Sequence, residues 1–348
     1  MRPSTSPHRR RAGRGADWER AISAELIHAD GTEGFQVDAG IRIQGGAFRR
    51  HEMTKKHSLR LLFKDDYGPT KLEYPLVGND AVDRSDTVTL RCVGSDGWQA
   101  NAALGSPQYA RDEFARRLGR AMGQVEPHGT YVHVYINGIY WGVYNAVERP
   151  DESFAASYFG GDKDQWDVIN SEGSIVSGTD DAWNAMLAIA EEVATAPTEA
   201  ARTAAYRRIE GLNPDGSENA NLPRYLDVDN LIDYLTVNFY VRSQDWPVNN
   251  YYVAREQGPQ STGFKFFLWD TEWSLDFLTS TLTTDRTSVE EGGWPHHTRN
   301  CVPARNSACV LPIGPSSTFP RVVRSMSVQT RMRRPTFMQA LRPRSSTR

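Results

Sequence analysis

The period of the hydrophobic pattern changes at residues 148–150, and this change restricts the possible folds more than any other feature of the chain. Before it, apolar and polar residues alternate in short runs, which is typical of β-strands. Such runs cover residues 40–46, 58–63 and 87–91. After it, apolar residues recur every three or four positions, which is typical of helices. Helical patterns cover residues 152–159, 180–194, 198–209 and 227–242.

We therefore predict an α+β fold with two lobes, a β-rich lobe over residues 17–148 and a mainly helical lobe over residues 149–287. We predict that residues 1–16 form a disordered basic arm and that residues 288–348 form an aberrant or disordered tail. Both segments are rich in Arg and Pro and have no hydrophobic period. The tail resembles a GC-rich reading frame translated out of register, and a genuine basic tail is the alternative.

Two features of the first lobe are clear from the pattern. Residues 109–122 predict a helix that carries Phe114 and Leu118 on one face and Arg116 and Arg120 on another. Two strands then flank the dipeptide 137–138, Asn-Gly, which is typical of a two-residue hairpin turn. The predicted order is three or more strands, one helix and two strands.

Charge is distributed unevenly. Residues 1–16 hold five Arg and no acid, and residues 295–348 hold ten Arg, no Lys and no acid. The other 25 basic and 43 acidic residues give residues 17–294 a net charge of −18. An acidic body argues against a nucleic-acid partner, and it needs metal ions to bind polyphosphate. No apolar stretch is long enough to span a membrane, so we expect no membrane partner.

Two polar segments of the second lobe suggest phosphoryl transfer. Asp245 is followed five residues later by Asn250, in a loop after a predicted helix. This is the spacing of a catalytic Asp and a metal-binding Asn in kinase loops. Asp270 ends an apolar strand, where a rigid metal-binding carboxylate is expected. Each Asp is also consistent with a plain helix or turn cap, but their order and the predicted hairpin between them agree with a kinase.

Two segments of the first lobe are weaker candidates. Gly45 and Gly46 follow a strand, and backbone N–H groups at such a turn can approach phosphate, although a plain hairpin bend is the simpler explanation for them. Lys56 begins the next strand and is suited to the α- and β-phosphates if a helix supplies an acid. The helix over residues 109–122 offers Asp112 and Glu113. A solvated basic pair is the alternative for Lys56.

These residues resemble the CotH (spore coat protein H) kinase family, whose members resemble protein kinases in outline and phosphorylate Ser or Thr hydroxyls of spore-coat and other proteins. The resemblance covers roughly residues 20–285. Residues 137–151 and the Trp-Asp pair at 269–270 are specific to it in combination. Family domains carry more helices beyond Asp270, so the second lobe looks truncated.

The resemblance implies Asp245 as catalytic residue, Asn250 and Asp270 as Mg²⁺ ligands, and Lys56 as phosphate lysine held by Asp112. It places Glu148 at the hinge between the lobes and Phe264 where an aromatic ring stacks on adenine. The implied cofactors are ATP and Mg²⁺, and the implied partner is a protein substrate with a Ser or Thr acceptor.

Two other functions remain open. One is a catalytically inactive kinase-fold module of a spore-coat or secreted protein, and the other is a β-rich adhesion or carbohydrate-binding module, suggested by 9 Trp, 14 Tyr and 13 Phe. The resemblance points to a spore surface or a secreted protein, although the N-terminus shows no apolar segment of a signal peptide. Nothing in the sequence indicates the oligomeric state.

Overall fold

A six-stranded antiparallel sheet occupies the first half of the chain. A computed structural model describes residues 15–50, 52–98 and 107–275, apart from the side chain of residue 172. The predicted tail, nearly all of the predicted arm and residues 276–287 lie outside the described residues. The strand order is β1-β2-β3-β6-β8-β7. Its strands are Arg20–Leu26 (β1), Phe35–Gln44 (β2), Ser58–Leu62 (β3), Thr87–Arg91 (β6), Gly129–Ile136 (β7) and Ile139–Val147 (β8).

The sheet ends at the predicted junction, because Val147 is the last residue of β8 and is followed directly by Glu148. The short strands Leu72–Glu73 (β4) and Arg84–Ser85 (β5) form a separate pair. The predicted hairpin joins β7 to β8: Asn137 and Gly138 have φ angles of 50° and 76°, and positive φ at both turn residues defines a type I′ turn.

Alternation along the strands gives the sheet two different faces. The outer face packs into an apolar core that includes Leu61, Val88 and Ala146. The inner face carries a row of polar residues, because Arg42 lies opposite Arg60 and Arg60 lies opposite Thr89. Arg91 is two residues beyond Thr89 and therefore lies on the same face.

The second half of the described chain combines helices with a four-stranded sheet of order β10-β9-β11-β12. Its strands are Trp166–Asn170 (β9), Ser174–Ser177 (β10), Tyr251–Glu256 (β11) and Lys265–Leu268 (β12). The helices are Glu152–Phe159 (α2), Asp181–Thr195 (α3), Glu199–Ile209 (α4) and Val228–Tyr240 (α5). The sequence predicted these helices and the β11–β12 hairpin but not β9 or β10, since strands of five and four residues are too short to show a clear period.

The helix Arg111–Ala121 (α1) lies between β6 and β7 in the chain, as predicted, but its buried face differs from that of an ordinary amphipathic helix. Phe114 is 39% exposed, whereas Arg111, Asp112 and Arg116 are buried. The apolar stripe is therefore not the packing face, because the charged side chains have partners inside the protein. Among the described residues, no helix has the length and apolar character needed to cross a membrane.

Candidate active site

The loop between α5 and β11 brings Asp245 and Asn250 into direct contact. The Asn250 Nδ2 donates a hydrogen bond to Asp245 Oδ2 at 3.1 Å, and the Asn249 Nδ2 donates to Asp245 Oδ1 at 3.2 Å. The backbone N–H of Asn250 donates to Ser171 Oγ at 2.9 Å, which anchors the end of the loop. Two residues selected by their spacing are thus neighbours in space.

Asp270 follows β12 at the same end of the β11–β12 hairpin. Tyr251 lies opposite Leu268, so Asn250, just before β11, and Asp270, just after β12, flank one end of the ladder. The two loops are also joined by the backbone, since Gln244 N–H donates to the carbonyl of Trp273 at 2.8 Å. The Asp270 side chain is 42% exposed, which leaves its carboxylate accessible to a ligand.

Arg91, at the end of β6, connects the six-stranded sheet to this site. Its Nη2 contacts Asp270 Oδ1 and lies 2.7 Å from Glu272 Oε1. Its Nε lies 3.3 Å from Asp112 Oδ2 on α1. One buried guanidinium group therefore joins three carboxylates that come from two distant parts of the chain.

The residues after Asp270 are fixed to the first half of the protein by further hydrogen bonds. Asp112 Oδ1 accepts hydrogen bonds from the backbone N–H of Thr271 at 2.9 Å and from its hydroxyl at 3.2 Å. Glu272 Oε2 accepts from the backbone N–H of Ser95 at 2.8 Å. Asp270, Thr271 and Glu272 each have a partner on β6, α1 or the loop after β6, so the position of Asp270 is tightly determined.

The charges in this cluster shift the pKa values of its members. Burial alone would raise the pKa of Asp112, but the guanidinium groups of Arg116 and Arg91 and the bonds from Thr271 hold it below its ordinary value. Burial and the neighbouring Asp270 carboxylate raise the pKa of Glu272 to about 7, against the opposing effect of Arg91. Burial opposes the charge of Arg91, yet the surrounding carboxylates raise its pKa well above the ordinary value.

The expected contact between Lys56 and Asp112 does not form, and this expectation is corrected. The Lys56 ammonium donates to the carbonyl of Val143 and lies 4.4 Å from the centre of the Tyr144 ring. Burial lowers its pKa, and no described carboxylate lies within ion-pair distance of it. Asp112 is instead occupied by Arg91 and by Arg116, which lies one turn along α1.

Phe264 also differs from its expected role. It precedes β12, at the opposite end of that strand from Asp270, and its side chain is fully buried. Its ring packs edge-on against Trp183 of α3, with centroids 5.3 Å apart. A buried ring in the core has no free face on which a base can stack, so the expected adenine contact of Phe264 is corrected.

The remaining predicted residues occupy accessible or structural positions. Gly45 and Gly46 are exposed directly after β2, and the φ angle of 110° at Gly45 favours glycine. Glu148 follows β8 as expected for a junction. Its carboxylate, however, is buried, accepting from His128 N–H at 2.7 Å and from the Tyr158 hydroxyl at 2.9 Å.

The residues present fit a Mg²⁺ ion. Among the described residues no three acidic, Cys or His side chains form a metal-binding group. Mg²⁺ does not need one, because it is usually held by one or two carboxylates together with waters and substrate phosphates. Asp270, with an accessible carboxylate, and Asn250 are suited to that arrangement.

Arg91 was missed by the reasoning from sequence. The signal was present, since the polar positions of the strand 87–91 are Thr, Thr and Arg, which alternate with Val and Leu. A charged residue at the polar position of a strand is equally consistent with exposure to solvent. Only the tertiary structure shows that Arg91 is buried among acidic residues.

Comparison with known proteins identifies one family. The family model described as CotH kinase protein matches residues 41–305, more than half of the chain. No curated protein matches the chain. The matched region contains every one of the candidate residues discussed above.

Proposed function

Because the chain belongs to the CotH kinase protein family, we propose that it transfers the γ-phosphoryl group of ATP to a Ser or Thr hydroxyl of a protein substrate. The observation that carries this proposal is that Asp245 and Asn250 are in contact and that Asn250 and Asp270 flank the same end of the β11–β12 hairpin. Kinases use an Asp and an Asn of one loop and a second Asp after a hairpin for this chemistry.

Each residue has a distinct part in the proposed reaction. Asp245 orients the substrate hydroxyl and accepts its proton, because its carboxylate is held by the two Asn side chains and stays half-exposed. Asn250 and Asp270 would hold Mg²⁺, and the ion would supply neutralisation of the phosphate charge. Gly45 and Gly46 offer backbone N–H groups near the phosphates.

We assign to Arg91 the role first expected for Lys56. In protein kinases a cation on a sheet strand pairs with an acid of a helix and reaches the phosphates. Here the strand is β6, the helix is α1, and the pair is Arg91 with Asp112. In this proposal the two lobes, residues 17–148 and 149–287, meet at the candidate site, where Arg91 of the first contacts Asp270 of the second.

An inactive nucleotide-binding module is the alternative, and one contact favours it. Arg91 is paired with Asp270, the proposed metal ligand, and this ion pair competes with Mg²⁺ for the carboxylate. Such a module binds Mg²⁺-ATP weakly or without turnover. We also propose that the substrate is a spore-coat protein or a secreted protein. This part of the proposal rests on the family membership alone.

The test is transfer of radiolabel from ATP to a Ser/Thr-rich acceptor protein by the full-length chain. Asp245→Asn should lower kcat by about 100-fold or more, since that is the scale of general-base catalysis, and should leave nucleotide affinity unchanged. Asp270→Asn should weaken binding of Mg²⁺-ATP. Asp215→Asn, in an exposed loop, is the matched control. Equal transfer by Asp245→Asn and wild type would refute the mechanism, and binding without transfer in the wild type would favour the inactive module.

A further inference from the structure

The six-stranded sheet has two edge strands, and they differ in how they are protected from pairing with other strands. β1 forms one edge and carries two charged residues, Arg20 and Glu25. β7 forms the other edge, and none of the described strands pairs with its outer side. It contains no Lys, Pro or acid, and the bulge of the β7–β8 hairpin lies on β8, at Trp141. Natural edge strands are usually protected by such features, so β7 is available to another strand.

The β7–β8 hairpin is uncharged, although the protein is acidic. Residues 127–147 contain no Asp, Glu, Lys or Arg, whereas residues 17–294 as a whole carry a net charge of −18. Two copies of an acidic protein repel each other where acidic surfaces meet. Two copies that meet at β7 avoid this repulsion, so charge favours this strand as the contact between copies.

The sequence of β7 is the same in both directions around its centre. The palindrome consists of Tyr131, Val132, His133, Val134 and Tyr135. If two copies of this strand pair antiparallel about His133, each Tyr lies opposite a Tyr and each Val opposite a Val. Opposed aromatic and β-branched side chains are contacts that stabilise antiparallel strands. The palindrome gains this meaning only from the fold, which places β7 at an edge of the sheet.

Exposed rings on the hairpin supply apolar surface for such a contact. Tyr131 and Tyr135 of β7 are 41% and 63% exposed, and Tyr140 of β8 is 51% exposed. An aromatic side chain can bury about 150–250 Å², so these three rings leave roughly 300 Å² uncovered in each copy. The rings of two copies thus supply about half of the 1,200 Å² that the smallest specific interfaces bury. The paired backbones and Ile136 add to this area, so we expect a dimer of moderate affinity.

We propose that β7 pairs antiparallel with β7 of a second copy of this chain and that His133 of each copy lies at the two-fold axis. The two six-stranded sheets then form one continuous sheet. Antiparallel pairing places the axis perpendicular to the sheet, so the inner faces of both copies, which carry Arg91, lie on the same side. Formation of this dimer does not depend on phosphoryl transfer, so the inference stands apart from the proposed function.

The test measures the mass of the full-length chain by sedimentation velocity between about 1 and 200 μM. The wild type should change from monomer to dimer across this range. His133 is exposed, so substitutions there should leave the fold intact. His133→Lys should raise the dissociation constant by about fivefold or more, because two like charges then lie directly opposite each other. Ile175→Lys, at an exposed apolar position of the edge strand β10, is the matched control and should leave the dissociation constant unchanged.

A charge swap tests the register about His133. His133→Glu alone should weaken the dimer as His133→Lys does, and an equal mixture of the two variants should restore association, since Lys then meets Glu. Failure of the mixture to associate would contradict this register.

Other outcomes would overturn the dimer itself. A wild type that stays monomeric at about 200 μM would show that no second copy binds β7. If His133→Lys then lowered phosphorylation of a protein substrate, the occupant of β7 would be an extended substrate segment instead. Loss of the wild-type dimer in about 0.5 M NaCl would show that the Arg-rich segments hold the copies together, because salt screens exposed ion pairs.

Discussion

The two faces of the six-stranded sheet show how one set of strands serves two purposes. The outer face buries Leu61, Val88 and Ala146 in an apolar core. The inner face buries charged and polar groups, among them Arg91 and Thr89. Apolar burial is directly favourable, whereas polar burial is costly unless each group is paired. The difference indicates that the outer face contributes stability directly, whereas the inner face depends on ion pairs and hydrogen bonds to offset the cost of burial.

The pairing of the inner face depends on distant parts of the chain. Arg91 has acidic partners on α1 and after β12, and Arg116 of α1 donates to Asn145 Oδ1 of β8 at 2.8 Å. Removal of a single partner therefore leaves other buried charges unpaired. The outer face has no such dependence, since neighbouring methyl groups relax around a lost side chain in part.

The largest predicted effect is at the centre of the inner face. Arg91→Ala should lower the free energy of unfolding by about 3–5 kcal/mol, because Glu272 would remain buried without its cation and Asp112 would keep only Arg116. Arg91→Lys should recover part of this loss, since one ammonium group cannot match three carboxylates. Urea denaturation without nucleotide measures both variants. A loss below about 1 kcal/mol for Arg91→Ala would show that the cluster does not hold the two regions together.

The outer face should respond to truncation in a different way. Leu61→Ala should lower the free energy of unfolding by about 3 kcal/mol, within the usual range for a buried leucine. Nucleotide affinity should stay unchanged under conditions in which the variant is folded, because Leu61 points away from the inner face. Denaturation and calorimetry of the same preparation test both parts. Altered affinity in the folded variant would contradict the proposed division between the faces.

Glu126, a buried acid beside Gly119 of α1, extends the comparison to the effect of pH. Burial raises the pKa of Glu126 to about 8, although the N–H of Leu268 donates to its carboxylate. Between about pH 4.5 and 8 the folded protein thus binds a proton that the unfolded chain has released. The contribution of Glu126 to stability therefore falls as pH rises through this window.

Glu126→Gln removes this titration. Its stability relative to the wild type should increase from pH 5 to pH 8 by more than about 1 kcal/mol, since one unit of pKa corresponds to about 1.4 kcal/mol. Denaturation curves at four or five pH values measure the difference. A constant difference across the range would mean that Glu126 is ionised in the folded protein.

The smallest predicted effect concerns an ion pair that lies on neither face of the six-stranded sheet. Arg202 lies 2.7 Å from Glu199 on α4, with both side chains largely exposed. Arg202→Ala should change the free energy of unfolding by less than about 0.5 kcal/mol, because water and salt screen such pairs. A change as large as that of Arg91→Ala would remove the distinction between buried and exposed ion pairs.

Local hydrophobic patterns predicted the positions of the helices well. The helix predicted over residues 152–159 is α2, and the helix predicted from residue 227 is α5, where Asp227 accepts a hydrogen bond from the N–H of Asn230. The helix α1 was placed correctly as well. Its packing face was not evident, because the apolar stripe with Phe114 is exposed and the charged stripe is buried.

Within the candidate site, too, sequence reasoning succeeded for residues that are close in the chain and failed for residues that are distant. Asp245 and Asn250 are close in the chain, and a short loop keeps them close in space. Lys56 and Asp112 are separated by several elements, so their expected contact depended on strand register and helix orientation, which the pattern does not specify. Glu272 was not selected, since its partners Arg91 and Ser95 are far away in the sequence.

The sequence by itself determined the change of period at residues 148–150, the positions of the helices, the Asn-Gly hairpin turn and the spacing of the acids near β11 and β12. These features depend on residues that are only a few positions apart, so the amino-acid sequence is sufficient to predict them. Only the tertiary structure decided that Arg91, not Lys56, meets Asp112 and that Phe264 lies in the core. Long-range pairing and burial depend on how whole elements pack, and a buried arginine carries the same local pattern as an exposed one.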